Sequence, residues 1–419
     1  MRSSFFPQSR FLTTRYGFPV PPSEVVMTCG SSSGICMSLE TFGTPECRLY
    51  LEDPTYFIFP AIIKSVHIGT GPNTTTLPSD EYGLCVEALE TRLVSTTPSN
   101  QTRDLLYCIP AHHNPTACTL STHRRARLVL LARKYGLTLI CDEPYQLLDW
   151  STEPLPRAMR FFDTLDDAVL ADLAARTRDG DEVGAAALVS AIASPNAAHT
   201  TTTTTAATTT TTTTAAASTS TTPPPVVVSL GSFSKILAPG LRMGWLHAHP
   251  ALVDRFERHG LLWSGGGLNP MGCYLCTQMI TDGTLDRTLA HLCTVYRARS
   301  QALCQALREY FPAGTLHFRE PSGGYFVWVR FPEWCQVEAM CGYVPPAGEA
   351  PPDQLVGGPC TSQNGWGVAV RSGATCTISG KHFGTWARMC FAFYGEEEIR
   401  WGVRRLAALY RRYKEHMHM

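Results

Sequence analysis

Residues 121–145, STHRRARLVLLARKYGLTLICDEPY, carry the reading of the fold. Ser121 can cap a helix running to Tyr135, with Leu128, Leu131, Ala132 and Tyr135 on one face and Gly136 ending it. Leu137 to Cys141 follows as a strand, and polar Asp142 and Glu143 stand at its end. The same grammar recurs on both sides. Val25–Thr28, Arg48–Glu52 (stopped by Asp53-Pro54), Leu105–Ile109 (stopped by Pro110) and Val226–Leu230 are short apolar strands, and Gly30–Ser33 opens a further helix. Strands alternating with helices indicate an α/β domain with a largely parallel sheet. Ligands of such sheets bind where the strands end, and polar residues repeatedly stand just there.

The interval Asp163–Pro225 breaks the pattern. Thr200–Thr222 is almost wholly Thr, Ala and Ser, and Pro223-Pro224-Pro225 closes it. So little apolar surface cannot offset the entropy of ordering the chain, and residues 163–225 are expected to form a disordered insertion. Glu333–Trp366, rich in Pro and Gly, reads as a second, loop-like insertion. Beyond it a strand at Met389–Phe393 and an amphipathic helix close the chain.

The 419 residues suggest two domains, and with 44% of them apolar a sizeable core is available. Lys plus Arg and Asp plus Glu both number 35, which offers no electrostatic reason to expect nucleic acid or a membrane surface as partner. The 16 cysteines are scattered, many in apolar runs, and read as buried small hydrophobes of a reducing compartment. Cys273 and Cys276 form a lone CxxC without a second pair or a histidine pair, so no metal is expected there. Arg2, Arg10 and Arg15 precede the first acid, Glu24, among several serines. That is the composition of a mitochondrial leader, but a helix Phe11–Tyr16 closed by Gly17 is the preferred reading, with a cytoplasmic location.

The chemistry is carried by short motifs. Ser232-Phe233-Ser234-Lys235 places a lysine just past an apolar strand, where burying an ammonium is costly unless the amine is consumed as a Schiff base. The serines and Arg242 can hold phosphate oxygens. Asp142, at another strand end, can keep a pyridinium nitrogen protonated, and Tyr145 and Asn114 can hydrogen-bond a ring oxygen. Gly30-Ser31-Ser32-Ser33 offers backbone N–H groups and hydroxyls to a phosphate. Tyr56 can stack on a ring. Each motif alone has a bland alternative: a surface lysine, a helix cap, an Asn-Pro turn, a core aromatic.

Taken in order, GSSS (30–33), DPTY (53–56), HHNPT (112–116), CDEPY (141–145), SFSK (232–235), GLRMGW (240–245), PSGGYFVW (321–328) and ARMCFAF (387–393) resemble the class I/II, fold-type I aminotransferases that depend on pyridoxal 5'-phosphate. The nearest flavour is the branch of 2-aminoadipate, aromatic and valine–pyruvate aminotransferases. The resemblance implies a large cofactor domain at 17–285 and a smaller C-terminal α/β domain at 286–419, usually paired as a homodimer. It implies Lys235 as the Schiff-base lysine that also shuttles the proton, and Asp142 as partner of the pyridine nitrogen. Asn114 and Tyr145 would hold the ring oxygen and Tyr56 would stack on the ring. Ser31, Ser32, Ser232, Ser234 and Arg242 would bind the phosphate, and Arg388 the substrate carboxylate. The implied reaction is ping-pong transfer of an amino group from an L-amino acid to a 2-oxo acid. A β-lyase or decarboxylase on the same scaffold, or a non-catalytic sensor domain, are the alternatives. Two departures stand out. Ala117 follows Asn114-Pro115-Thr116 where the family usually has Gly, so a positive φ there would be strained. The family's first segment, which lines the substrate entrance, has no counterpart before Tyr16, which leads us to expect a truncated sequence or an impaired enzyme.

Overall fold

A computed structural model describes residues 6–95, 103–193, 223–263, 269–344 and 368–418. Eight strands form the main sheet: β1 (Val25–Thr28), β2 (Leu49–Asp53), β3 (Thr74–Asp80), β4 (Gly83–Leu84), β5 (Leu105–Cys108), β6 (Thr138–Asp142), β7 (Val227–Ser232) and β8 (Gly244–Ala248), in the order β1-β8-β7-β6-β5-β2-β3-β4. The central run from β7 to β3 is parallel; β1, β8 and β4 pair antiparallel at its margins. Alternate residues of the central strands feed two separate cores. Leu106, Cys108, Leu139 and Cys141 join one, and Leu105, Tyr107 and Ile140 the other. Both faces are covered, which is why these strands read as unbroken apolar runs.

The helix of residues 121–135 forms as its sequence dictates. The Ser121 hydroxyl accepts from Arg124 N, and Gly136 closes the helix Thr122–Tyr135 at φ 71°. A second sheet, β10 (Arg371–Ser372), β11 (Trp386–Cys390) and β9 (Phe326–Arg330), lies with the long helix Thr284–Tyr310 and the C-terminal helix Glu396–His416. Strand β11 begins three residues earlier than Met389, because pairing with β9 sets its bounds, from Trp386↔Arg330 to Cys390↔Phe326. No helix among the described residues is long and apolar enough to cross a membrane.

The expected disorder of 163–225 is corrected in its first half. Asp167–Arg176 and Glu182–Ala193 are helices. Asp166 caps the first, and Leu170, Leu173, Ala185 and Val189 are buried at helical spacing. Buried Asp163 ties the ends of the interval together, pairing with Arg133 and accepting from Val226 N at 3.2 Å. The threonine tract lies outside the described residues. In the second expected insertion, Val337–Gly342 is a short helix that buries Val337 and Met340, and 345–366 lie outside the described residues.

Ala117 does adopt φ 60°. Left-handed backbone costs a non-glycine residue about 1–2 kcal/mol, whereas glycine loses more entropy on folding. Ala117→Gly is therefore expected to leave stability unchanged or raise it by up to about 1 kcal/mol, measured by urea denaturation. The usual penalty for introducing glycine, a fall of about 0.5–1 kcal/mol, would contradict this.

Candidate active site

The C-terminal ends of the parallel strands bring the motifs together. Asp142 is the last residue of β6 and is 4% exposed. Its Oδ2 accepts from the Tyr107 hydroxyl at 3.1 Å, while Oδ1 is buried without a hydrogen-bond partner among the described residues. Burial pushes the carboxyl pKa up to about 7, opposed by the Tyr107 hydrogen bond, the Lys235 charge and the nearby Ser31 hydroxyl. Lys235 sits one short turn beyond β7, in the helix Phe233–Ile236. Ser232 caps that turn, its hydroxyl accepting from Ser234 N at 3.1 Å. Lys235 is half-buried, and burial pulls its ammonium pKa down; Arg388 and Arg242 push the same way, against Asp142. Its Nζ lies 5.3 Å from the Tyr325 ring centroid, and the Tyr325 hydroxyl donates to the Lys235 carbonyl at 2.8 Å.

Around this pair the other residues fall into three groups. The helix Ser31–Phe42 starts beside Arg242, whose Nη1 donates to Ser234 Oγ at 3.2 Å and whose Nη2 donates to Cys29 O at 3.3 Å. Gly30 has φ 80°, and a Cβ built on it would stand 2.8 Å from Arg242 Nη2. The Ser234 hydroxyl and the Arg242 guanidinium thus stand beside a helix N-terminus, groups suited to an anion. Facing the strand ends are Asn114, after which the peptide bond is cis, Tyr56 and Tyr145. Tyr145 is buried against Tyr325 and Phe326. Burial raises the phenol pKa of both tyrosines, and the Asp142 charge adds to it. The third group comes from the second sheet. Arg388 Nη1 donates to Asn114 Oδ1 at 2.8 Å, and its guanidinium lies over Phe326 and Phe57. Its Nε is buried without a partner among the described residues, and burial pulls its pKa down.

All eleven residues singled out in the sequence stand in this one region, but Tyr107 and Tyr325 were not read as part of it. Tyr107 looks like one more large residue in an apolar strand. Its hydroxyl, stranded in a core unless it finds a partner, was the available signal. Its ring is stacked on Phe59, 3.8 Å between centroids, which fixes where that hydroxyl points.

A family model described as "Aminotransferase class I and II" matches residues 9–172 and 196–406. Among curated relatives, aromatic-amino-acid aminotransferase 1 of Thermococcus litoralis is 24% identical over 408 residues, 95% of this chain and 75% of that one. The 2-aminoadipate transaminase of Thermus thermophilus is 26% identical over 323 residues, 77% of this chain and 64% of that one. Against several other relatives the chain spans only 55–61% of their length. Among solved structures, the multiple substrate aminotransferase of Thermococcus profundus superposes with a TM-score of 0.71 at 24% identity, covering 100% of this chain and 82% of that one. The α-aminoadipate aminotransferase LysN of Thermus thermophilus, solved with N-(5'-phosphopyridoxyl)-L-leucine, gives a TM-score of 0.66 at 23% identity, covering 97% and 81%. These structures share the fold: a mostly parallel sheet flanked by helices and followed by a smaller second sheet. With its motifs gathered at one sheet edge and the family match running over most of its length, the chain belongs to the class I and II aminotransferases.

Proposed function

We propose that this chain is a pyridoxal 5'-phosphate-dependent aminotransferase that passes an amino group from an L-amino acid to a 2-oxo acid by a ping-pong mechanism. The observation that carries the reading is a half-buried lysine whose charge is felt by a buried carboxylate, one oxygen of which has no hydrogen-bond partner among the described residues. An orphan Asp142 Oδ1 is costly in a fold that does nothing with it, and it fits a ring N–H. The cofactor, when bound, supplies an electron-withdrawing ring that accommodates negative charge at the substrate Cα.

The chain's own residues do the rest. Lys235 would hold the cofactor through its Nζ and, once displaced, carry the proton removed from the substrate Cα. A lowered ammonium pKa suits an amine that must both attack and accept a proton. Asp142 would hold the ring nitrogen charged, and Tyr107 keeps the carboxylate turned toward it. Asn114 gives its oxygen to Arg388, which leaves its amide N–H₂, with the Tyr145 hydroxyl, for the ring oxygen. Tyr56 would cover one ring face, and Ser31, Ser32, Ser232, Ser234 and Arg242 would take the phosphate. Arg388, its Nε without a partner among the described residues, would clamp the substrate carboxylate bidentately.

The test is the visible absorbance of the cofactor-loaded protein. Bleaching by particular L-amino acids and recovery on adding an oxo acid are expected. Bleaching with release of ammonia or carbon dioxide would favour a lyase or decarboxylase, and no response to any amino acid would defeat the reading. Gly30→Ala tests the phosphate pocket. It should cost about 1–2 kcal/mol of stability and, by displacing Arg242, weaken cofactor affinity roughly tenfold, measured by fluorescence titration. Undiminished affinity would remove Arg242 from the pocket. The homodimer is part of the same proposal. Leu261, Trp263, Met271, Tyr274 and Leu275 are exposed apolar residues on two successive helices, a surface suited to a second copy.

A further inference from the structure

Residues 321–325 reach Lys235 from the side of the small sheet. Trp150 N donates to Ser322 O at 2.9 Å and Gly324 N donates to Leu148 O at 2.8 Å, which laces the segment entering β9 to the chain that follows β6. A Cβ on Gly323 would stand 2.2 Å from the His112 ring and 2.5 Å from Leu148 O, so only glycine permits this approach. The approach delivers Tyr325, which meets Lys235 at its main chain and at its amine. The Tyr325 hydroxyl donates to the Lys235 carbonyl at 2.8 Å, and the Lys235 Nζ lies over the ring, 5.3 Å from the centroid. The ring is itself fixed between Tyr296, edge-on at 5.2 Å, and Tyr145 at 5.4 Å. Burial pushes the Tyr325 phenol pKa far up, so its hydroxyl stays a donor. Among the described residues no hydrogen bond or ion pair uses the Lys235 amine, and the electron-rich ring face is what its charge lies against.

We propose that Tyr325 is a positioning residue for Lys235: its hydroxyl pegs the main chain of the lysine, and its ring holds the free amine beside the cleft as an ammonium. This rests on the reading of Lys235 as the residue that carries the substrate proton. A long flexible stem bears the amine, and an amine that swung away once freed would have to be brought back for every transfer. Burial drives it toward the neutral form, and the negative face of the ring offsets part of that cost. A carboxylate in the same place would compete for the proton. A ring face holds the charge and has no basic atom to accept it.

The experiment reads the amine directly, in protein saturated with pyridoxamine 5'-phosphate, which has no aldehyde to occupy it. Tyr325→Phe is compared with the same substitution by mono-, di- and trifluorinated phenylalanine, which drain negative charge from the ring face with little change of shape. The rate at which trace acetic anhydride acetylates Lys235 at neutral pH is followed by mass spectrometry, with Lys64, Lys134, Lys381 and Lys414 as internal references. A weaker hold on the ammonium leaves more free amine. The Lys235 rate should therefore climb with each fluorine, roughly three- to tenfold over the series, while the references stay level. A flat or falling series overturns the proposal. The hydroxyl is read by turnover of an L-amino acid that bleaches the cofactor. Tyr325→Phe should lower kcat roughly tenfold, leave KM within about twofold and enlarge the isotope effect of deuterium at Cα, because proton transfer becomes the slow step. An unchanged kcat and isotope effect overturns the proposal as well. A climbing acetylation series in a protein that transaminates nothing upholds the hold on the amine and defeats the catalytic reading. An active transaminase with a flat series does the reverse.

Discussion

Lys235→Ala is expected to abolish transamination, lowering turnover by at least about 10⁴-fold, while the protein stays folded. Among the described residues no hydrogen bond or ion pair uses the amine: the Tyr325 hydroxyl is bonded to the Lys235 carbonyl, which the substitution keeps, and the half-buried ammonium is itself penalised by desolvation. Unchanged urea midpoint, lost turnover and partial recovery on adding methylamine would separate a missing amine from a damaged fold. Turnover that survives the substitution would remove Lys235 from the reaction.

Asp142→Asn should lower turnover roughly 10²–10³-fold and, in the cofactor-free protein, raise stability. The sign follows from the carboxyl pKa, which burial lifts from the usual range to about 7. An acid that holds its proton more tightly folded than unfolded contributes stability at pH below its ordinary pKa. That contribution is lost as pH rises through its folded value. The cofactor-free protein should therefore weaken between about pH 4 and pH 7, by a few kcal/mol at most, and Asp142→Asn should lack that slope. If Asp142 holds the ring nitrogen, saturation with cofactor would give Oδ1 a cationic partner and should flatten the wild-type profile as well. Urea midpoints across the range, with and without cofactor, read all of this. A flat profile in the cofactor-free wild type would mean that Asp142 is not buried as described.

Much of this arrangement was legible in the sequence because the deciding signals are local. Ser121 and Gly136 bracket a helix through their own backbone preferences, and Asp142 and Lys235 each stand where an apolar run stops. What composition obscured was the segment 163–193. Its stripe of Leu170, Leu173, Ala185 and Val189 was averaged with the threonine tract that follows, and Asp163 shows itself as a buried tie only through contacts with Arg133 and Val226, distant in the chain. What locality cannot show is which residues meet. Tyr107 reaches Asp142 only because parallel pairing of β5 and β6 places them side by side. Arg371 stands beside Arg388 only because β10 pairs with β11 in a register that sets the two opposite each other. Neither register is written in the spacing of the residues along the chain.

Borohydride reduction of the cofactor-loaded protein, followed by proteolysis and mass spectrometry, tests the central claim most directly, because it fixes the cofactor covalently to whichever amine holds it. The chain's other lysines are Lys64, Lys134, Lys381 and Lys414, so the outcome is unambiguous. The expected result is a phosphopyridoxyl group on Lys235 alone. Label on any of the other four, or a protein that takes up no label at all, would contradict it.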